Sequence, residues 1–203
     1  MTPRFIARQF SHPRGLLGGL IMRLMNRRNA SLCVFALQQL HVGPTDRVLE
    51  VGFGGGLALS NLVDHAAFTA GVDRSADAVK WAQARYAPSV ALRRAEFRVG
   101  NVERLPYEAR SFTKALTVNT IYFWSSLDAG FEEMGRVLSP GSRMVVGFYP
   151  REAMEHMKNP PDIFSLRKSE EVLAALTRTG FRDVRIEQND RTTAWKVVVG
   201  TRC

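Results

Sequence analysis

The chain has 203 residues, 45% of them apolar and 23% charged, the balance of one folded domain with one core rather than of a disordered or fibrous chain. No apolar run reaches the length of a membrane span, and Arg4, Arg8 and Arg14 break up the N-terminus where a secretory signal would need a clean apolar stretch. Two isolated cysteines, Cys33 and Cys203, provide no disulfide framework and no metal-ligand spacing, which predicts a reducing, cytoplasmic setting.

The net charge of +9 is unevenly spread. Residues 1–45 hold arginines at 4, 8, 14, 23, 27 and 28 and no acid. A solvated basic face is the favoured reading. Contact with an anionic membrane surface or a lipid-like substrate comes second, and nucleic acid third, because aromatics are not interleaved with these arginines. The segment is set apart as an N-terminal basic helical unit, 1–45, expected to lie over the acceptor side as a lid, ahead of a main domain at 46–203; a helix packed permanently on the sheet is the competing reading. Within it, Gly15 to Arg28 shows apolar residues at 17, 20, 21, 24 and 25, a helical stripe closed by Arg27 and Arg28. Ser31 to Leu40 predicts a second helix, ended by the Gly43-Pro44 turn.

From residue 47 onward apolar, β-branched runs alternate with helical spacing. Strands are predicted at 47–51, 68–73, 95–99, 113–118 and 143–149, with helices at 55–65, 75–86 and 126–137 between them. That alternation implies a parallel sheet covered by helices on both faces. Ser169 to Thr179 is a further helix, with Ser169 as N-cap and Gly180 just past its end. Val184 to Glu187 and Ala194 to Thr201 read as two closing strands joined through Asn189-Asp190-Arg191-Thr192.

The chemistry concentrates at the first strand. Val48-Leu49-Glu50-Val51 runs into Gly52, Gly54 and Gly56, where the absence of a Cβ lets backbone approach a ligand. Asp73 ends the second strand 21 residues after Gly52, where a carboxylate can accept from both ribose hydroxyls. The spacing is G-x-G-x-G, and Leu57 stands near where a dinucleotide fold needs its third glycine. Glu50 would repel a pyrophosphate but suits a ligand carrying an ammonium group.

With these residues the chain resembles the class I S-adenosylmethionine-dependent methyltransferases, in particular the small-molecule branch that includes ubiquinone and menaquinone methyltransferases. Three further blocks carry the resemblance in family order. Gly100-Asn101-Val102-Glu103-Arg104-Leu105-Pro106-Tyr107 is similar to the family's G-D-A-x-x-L-P-F segment. Phe112 to Val118 is similar to its fourth strand, and Arg136-Val137-Leu138-Ser139-Pro140-Gly141-Ser142 to its R-V-L-x-P-G-G turn. The resemblance implies a Rossmann-like α/β fold, with a seven-stranded, mostly parallel sheet, an antiparallel last strand and helices on both faces. It implies S-adenosyl-L-methionine as cofactor. Gly52 and Gly54, with Gly56 in the same loop, would turn against its methionine part, and Glu50 would favour its cationic end. Asp73 would hold the ribose and Arg74 flank the adenine. Asn101 stands where the family has aspartate and would accept from the adenine amino group without charge assistance. Val102 would offer its backbone N–H to the ring, and Asn119 would lie where a backbone carbonyl meets the ammonium.

The acceptor side is less marked. Tyr122, Phe123 and Trp124 after the fourth strand, and Phe148 and Tyr149 at the end of the fifth, are expected to open on the cleft. An aromatic wall suits a small hydrophobic or aromatic acceptor. Tyr122, Tyr149, His12 and His156 are the candidates for a catalytic group; His41 and His65 read as structural. Neither a metal cluster nor a Ser-His-Asp set stands out. Methyl transfer to phospholipid or nucleic acid, and a non-catalytic S-adenosylmethionine-binding subunit, are the alternatives. Asn159-Pro160-Pro161-Asp162 approaches a nucleic-acid methyltransferase tetrad but ends in Asp and follows the wrong strand.

Overall fold

A computed structural model describes residues 29–155, 160–187 and 194–203. The predicted helix at Gly15 to Arg28, His12, His156 and the turn from Asn189 to Thr192 lie outside the described residues. Helix α1 covers residues 29–40. It is followed by β1 (Arg47–Val51), α2 (Leu59–His65), β2 (Phe68–Asp73), α3 (Ala76–Arg85), α4 (Ala87–Ala91) and β3 (Ala95–Val99). Then come β4 (Phe112–Val118), a 3₁₀ turn (Ile121–Phe123), α5 (Leu127–Val137), β5 (Leu138–Phe148), α6 (Arg151–Met154), α7 (Ser169–Arg178), β6 (Phe181–Glu187) and β7 (Lys196–Arg202).

The sheet has seven strands in the order β3-β2-β1-β4-β5-β7-β6. The first five strands pair in parallel, and β7 runs antiparallel to both β5 and β6. Strand β1 is buried on both faces because helices cover both. Val48 points toward α1 with Leu116, Val145, Val197 and Val199. Leu49, with Ala115 and Met144, points the other way, into a core completed by Phe131 and Met134 of α5 and Val172 and Leu176 of α7. Leu32, Ala36 and Leu40 of α1 are fully buried, so the described part of the first 45 residues packs in the core. Lys114 of β4 donates to the carbonyls of Leu40, the last residue of α1, and His41 just past it, and pairs with Asp46 at 3.2 Å, which ties the helix end to the sheet.

Four local expectations are corrected. Helix α2 starts at Leu59 rather than 55, because Gly52, Gly54 and Gly56 all have positive φ and the loop uses up those residues. Strand β5 begins at Leu138 rather than 143. Pro140 and Gly141 stay in it as an irregularity, between the pairs Phe112↔Leu138 and Lys114↔Arg143. Ser169 is the first helical residue of α7 rather than its cap. Lys168 takes the cap position, and its N–H donates to the Glu171 carboxylate at 3.1 Å. The sixth strand starts at Phe181, three residues before Val184.

Arg136 of α5 pairs with Glu133 at 2.7 Å and donates to the carbonyls of Tyr107 and Leu105, while Glu133 accepts from the Leu105 N–H at 2.7 Å. The R-V-L and L-P-Y blocks, far apart in sequence, are thus one hydrogen-bonded unit.

Candidate active site

The sheet order reverses between β1 and β4, and a cleft opens at the carboxyl ends of these strands. The glycine loop forms one wall. Gly52 N–H donates to Val72 O at 2.7 Å, fastening the loop to β2. Gly52 has φ +73°, and a Cβ there would collide with the Thr120 methyl group. Gly54 has φ +48° and open space where its Cβ would be, and with Gly52 and Gly55 it lines the cleft. Gly56 is a correction: its bare Cα packs on the Trp81 ring, and it is not among the residues that line the cleft.

Glu50, Asp73, Arg74, Asn101, Val102 and Asn119 all line it. Asp73 accepts from the N–H groups of Gly54 and Ser75, both at 2.8 Å, so its carboxylate fastens the glycine loop to the start of α3. Glu50 is 4% exposed, and its Oε2 has no hydrogen-bond partner. Burial, and then the charge of Asp73, raise its pKa to about 8. Asn101 is exposed, and its Oδ1 accepts from Glu103 N–H at 3.3 Å, a local Asx turn. Asn119 takes φ +58°, a conformation asparagine adopts more readily than most residues. Its N–H donates to Gly147 O at 2.8 Å, so the chain turns sharply out of β4 at the cleft.

The expected aromatic wall divides. Phe123 and Trp124 line the cleft; Tyr122, Phe148 and Tyr149 do not. Phe148 is fully buried in the core, and Tyr149 is half-buried against the hydrophobic clusters. The Tyr122 hydroxyl accepts from Tyr149 N–H at 2.6 Å and donates to Tyr149 O or Asn119 Oδ1, each at 3.1 Å. Burial drives its pKa upward, so it is a bracket between β4 and β5 rather than a proton-transfer group. Tyr122→Phe is therefore expected to leave the Tyr149 N–H unsatisfied and cost about 1–3 kcal/mol of stability. A denaturant titration checks it, and an unchanged midpoint with lost turnover would return the hydroxyl to the chemistry.

Asn29 and Cys33, one helical turn apart on α1, also line the cleft, as do Leu57, Val118 and Thr120. No motif marks them; only the i, i+4 spacing of Asn29 and Cys33 hints at a shared face. Burial, with the nearby Glu50 charge, pushes the Cys33 thiol to about 12, so it is an apolar lining group and not a nucleophile.

A seven-stranded sheet of this order, with a glycine loop after β1 and an acid at the tip of β2, defines a Rossmann-like nucleoside-binding fold. Residues 49–146 match the family model described as a methyltransferase domain. That match, together with the relatives and solved structures below, supports a class I S-adenosylmethionine-dependent methyltransferase. An uncharacterized methyltransferase of Bacillus subtilis (strain 168), YdaC, is 26% identical over 166 residues, which is 81% of this chain and 87% of that protein. The demethylmenaquinone methyltransferase of Mycobacterium sp. (strain KMS) is 34% identical over 109 residues, 53% of this chain and 43% of that protein. Apart from YdaC, the chain spans about half or less of the curated relatives it matches. A chain of the complex between the Haloferax volcanii Trm112 methyltransferase activator and the putative methyltransferase superposes with a TM-score of 0.73 at 22% identity, covering 89% of this chain and 92% of that one. Geranyl diphosphate C-methyltransferase from Streptomyces coelicolor A3(2) gives 0.72 at 15% identity, covering 97% and 88%. At these identities the likeness to solved structures is one of fold.

Proposed function

We propose that this chain binds S-adenosylmethionine in the cleft and transfers its methyl group to a small hydrophobic or aromatic acceptor. The observation that carries the cofactor reading is Glu50, a buried carboxyl with an unpartnered oxygen beside a glycine loop. A buried polar atom left alone is costly, and a ligand cation at this position would satisfy it. The donor set fits the rest of the cofactor. Gly54 leaves room for close approach, and the Asp73 carboxylate, with about four lone-pair directions, suits ribose hydroxyls. Val102 and Asn101 form the adenine end, and Arg74 stands beside Asp73. Bound there, the cofactor supplies a methyl group already activated by a sulfonium.

What the protein adds is alignment and dryness. Leu57, Val118, Phe123 and Trp124 give the cleft an apolar and aromatic wall, which favours an apolar acceptor and excludes water. The name of one sequence relative points the same way: a demethylmenaquinone methyltransferase acts on a quinone-type acceptor. A phenol or quinol suits that wall, because its ring is apolar and its hydroxyl loses a proton readily.

Calorimetry with S-adenosylhomocysteine and with NAD tests the cofactor half: the first is expected to bind and the second not. Binding of NAD alone would overturn the reading. Labelled S-adenosylmethionine offered to quinols, phenols, thiols and phospholipids tests the acceptor half. Transfer to a quinol or phenol is expected, and transfer confined to phospholipid would replace the acceptor class.

A further inference from the structure

Trp124 and the two residues after it are held by charged residues that neither the cofactor nor the acceptor reading uses. Its ring lies over Gly130, where a Cβ would collide with it, and meets Phe131 edge-on at 5.1 Å. Its carbonyl accepts from Arg167 Nη2 at 3.1 Å. The next residue, Ser125, donates its N–H to Glu103 Oε1 at 3.0 Å, and its hydroxyl bonds to the same oxygen. Ser126 N–H reaches that oxygen too, at 3.3 Å. One carboxylate oxygen thus gathers three donors from the two residues that lead into α5. The Ser125 hydroxyl holds the Glu103 carboxyl below its usual range, so it is charged at neutral pH.

Glu103 is also tied to the turn that carries Asn101 and Val102. Its own N–H donates to Asn101 Oδ1, and Asn101 and Val102 line the cleft where the cofactor reading puts the adenine. The turn closes tightly, with Arg104 N–H donating to Asn101 O at 3.1 Å. Glu103 thus bridges the turn that carries Asn101 and Val102 to Ser125, the residue after Trp124.

We propose that Glu103 is a positioning residue that couples occupation of the adenine end of the cleft to the placement of Trp124 on the acceptor wall. The wall then reaches its working position after the cofactor has bound, which favours an order of cofactor first and acceptor second. This rests on the cofactor reading given above.

Fluorine NMR of protein carrying 5-fluorotryptophan tests it. The chain has 3 tryptophans, and Trp124→Phe assigns the resonance. S-adenosylhomocysteine is expected to shift the Trp124 signal in the wild type. In Glu103→Ala that shift should fall by about half or more, while calorimetric affinity stays within about threefold. Glu103→Gln should restore the response, because an amide oxygen can accept the same N–H donors. Trp81, under the glycine loop, should respond equally in every variant. Ser125→Ala removes one donor from the same oxygen; it should weaken the Trp124 response and carries the test if Glu103→Ala does not fold. A full Trp124 response in Glu103→Ala or in Ser125→Ala, or a Gln variant that behaves like Ala, overturns the coupling. So does ligand binding to the wild type without any Trp124 response. A wild type that does not bind S-adenosylhomocysteine overturns the cofactor reading instead.

Discussion

Asp73→Ala is expected to lose measurable S-adenosylhomocysteine binding and to unfold at lower denaturant concentration than the wild type. The carboxylate accepts two backbone N–H bonds at 2.8 Å, from Gly54 in the glycine loop and Ser75 at the cap of α3. Hydrogen bonds to a charged group contribute about 1.5–3 kcal/mol each, and the truncation leaves both donors without their acceptor. Their loss should cost about 3 kcal/mol or more of stability. It also frees Gly54, the residue that must hold still for a ligand to approach. Asp73→Asn separates the two effects. Its amide oxygen can keep one N–H bond, so stability should lie between wild type and Ala. The amide group would still meet ribose hydroxyls with less acceptor strength, so affinity should stay low. Paired denaturant and calorimetric titrations read both. An Ala variant with wild-type midpoint and affinity would remove Asp73 from both roles.

This double duty marks the limit of what the sequence displays. The position of Asp73 at the end of β2 is legible, because an apolar run closes on an acid at a fixed distance from the glycines. Its bonds to Gly54 and Ser75 are not, since the register that brings β1 and β2 together is set by the whole core. The glycines behave likewise. Their spacing announces a ligand loop, yet only Gly54 faces open space; Gly52 and Gly56 are glycine because Thr120 and Trp81 lie against them. Tyr122 and Phe123 are neighbours at the same strand end, and a one-residue difference sends one hydroxyl into a backbone bracket and the other ring to the cleft. The elements themselves were legible wherever periodicity was strong. Their edges moved where a bulge, as at Pro140-Gly141, or alternating positive φ, as at Gly52, Gly54 and Gly56, overrode the pattern.

Glu50 gives the chain a pH signature. In the folded protein without ligand its pKa is raised from 4.5 to about 8, by burial first and by Asp73 second. A folded state that holds this proton more tightly than the unfolded chain is most favoured below the unfolded value. The contribution is lost progressively as pH rises from about 4.5 to about 8, at a slope near 1.4 kcal/mol per unit. Glu50→Gln keeps the shape of the side chain without the titration. It should therefore be more stable than the wild type at pH 8 to 9, by on the order of a few kcal/mol, with the advantage fading toward pH 5. Ligand binding should respond in the opposite sense. A cationic group in the cleft favours the ionised carboxyl, so binding at pH 7 should release close to one proton, and affinity should fall about tenfold for each pH unit below 8. Calorimetry of S-adenosylhomocysteine in buffers of different ionisation enthalpy reads that proton directly. In Glu50→Gln both the release and the pH dependence should vanish, with affinity at pH 8 lowered about 100-fold by the loss of a buried charge partner. Equal affinity and no proton release in either protein would mean that no cation sits against Glu50, and its buried oxygen would need another partner.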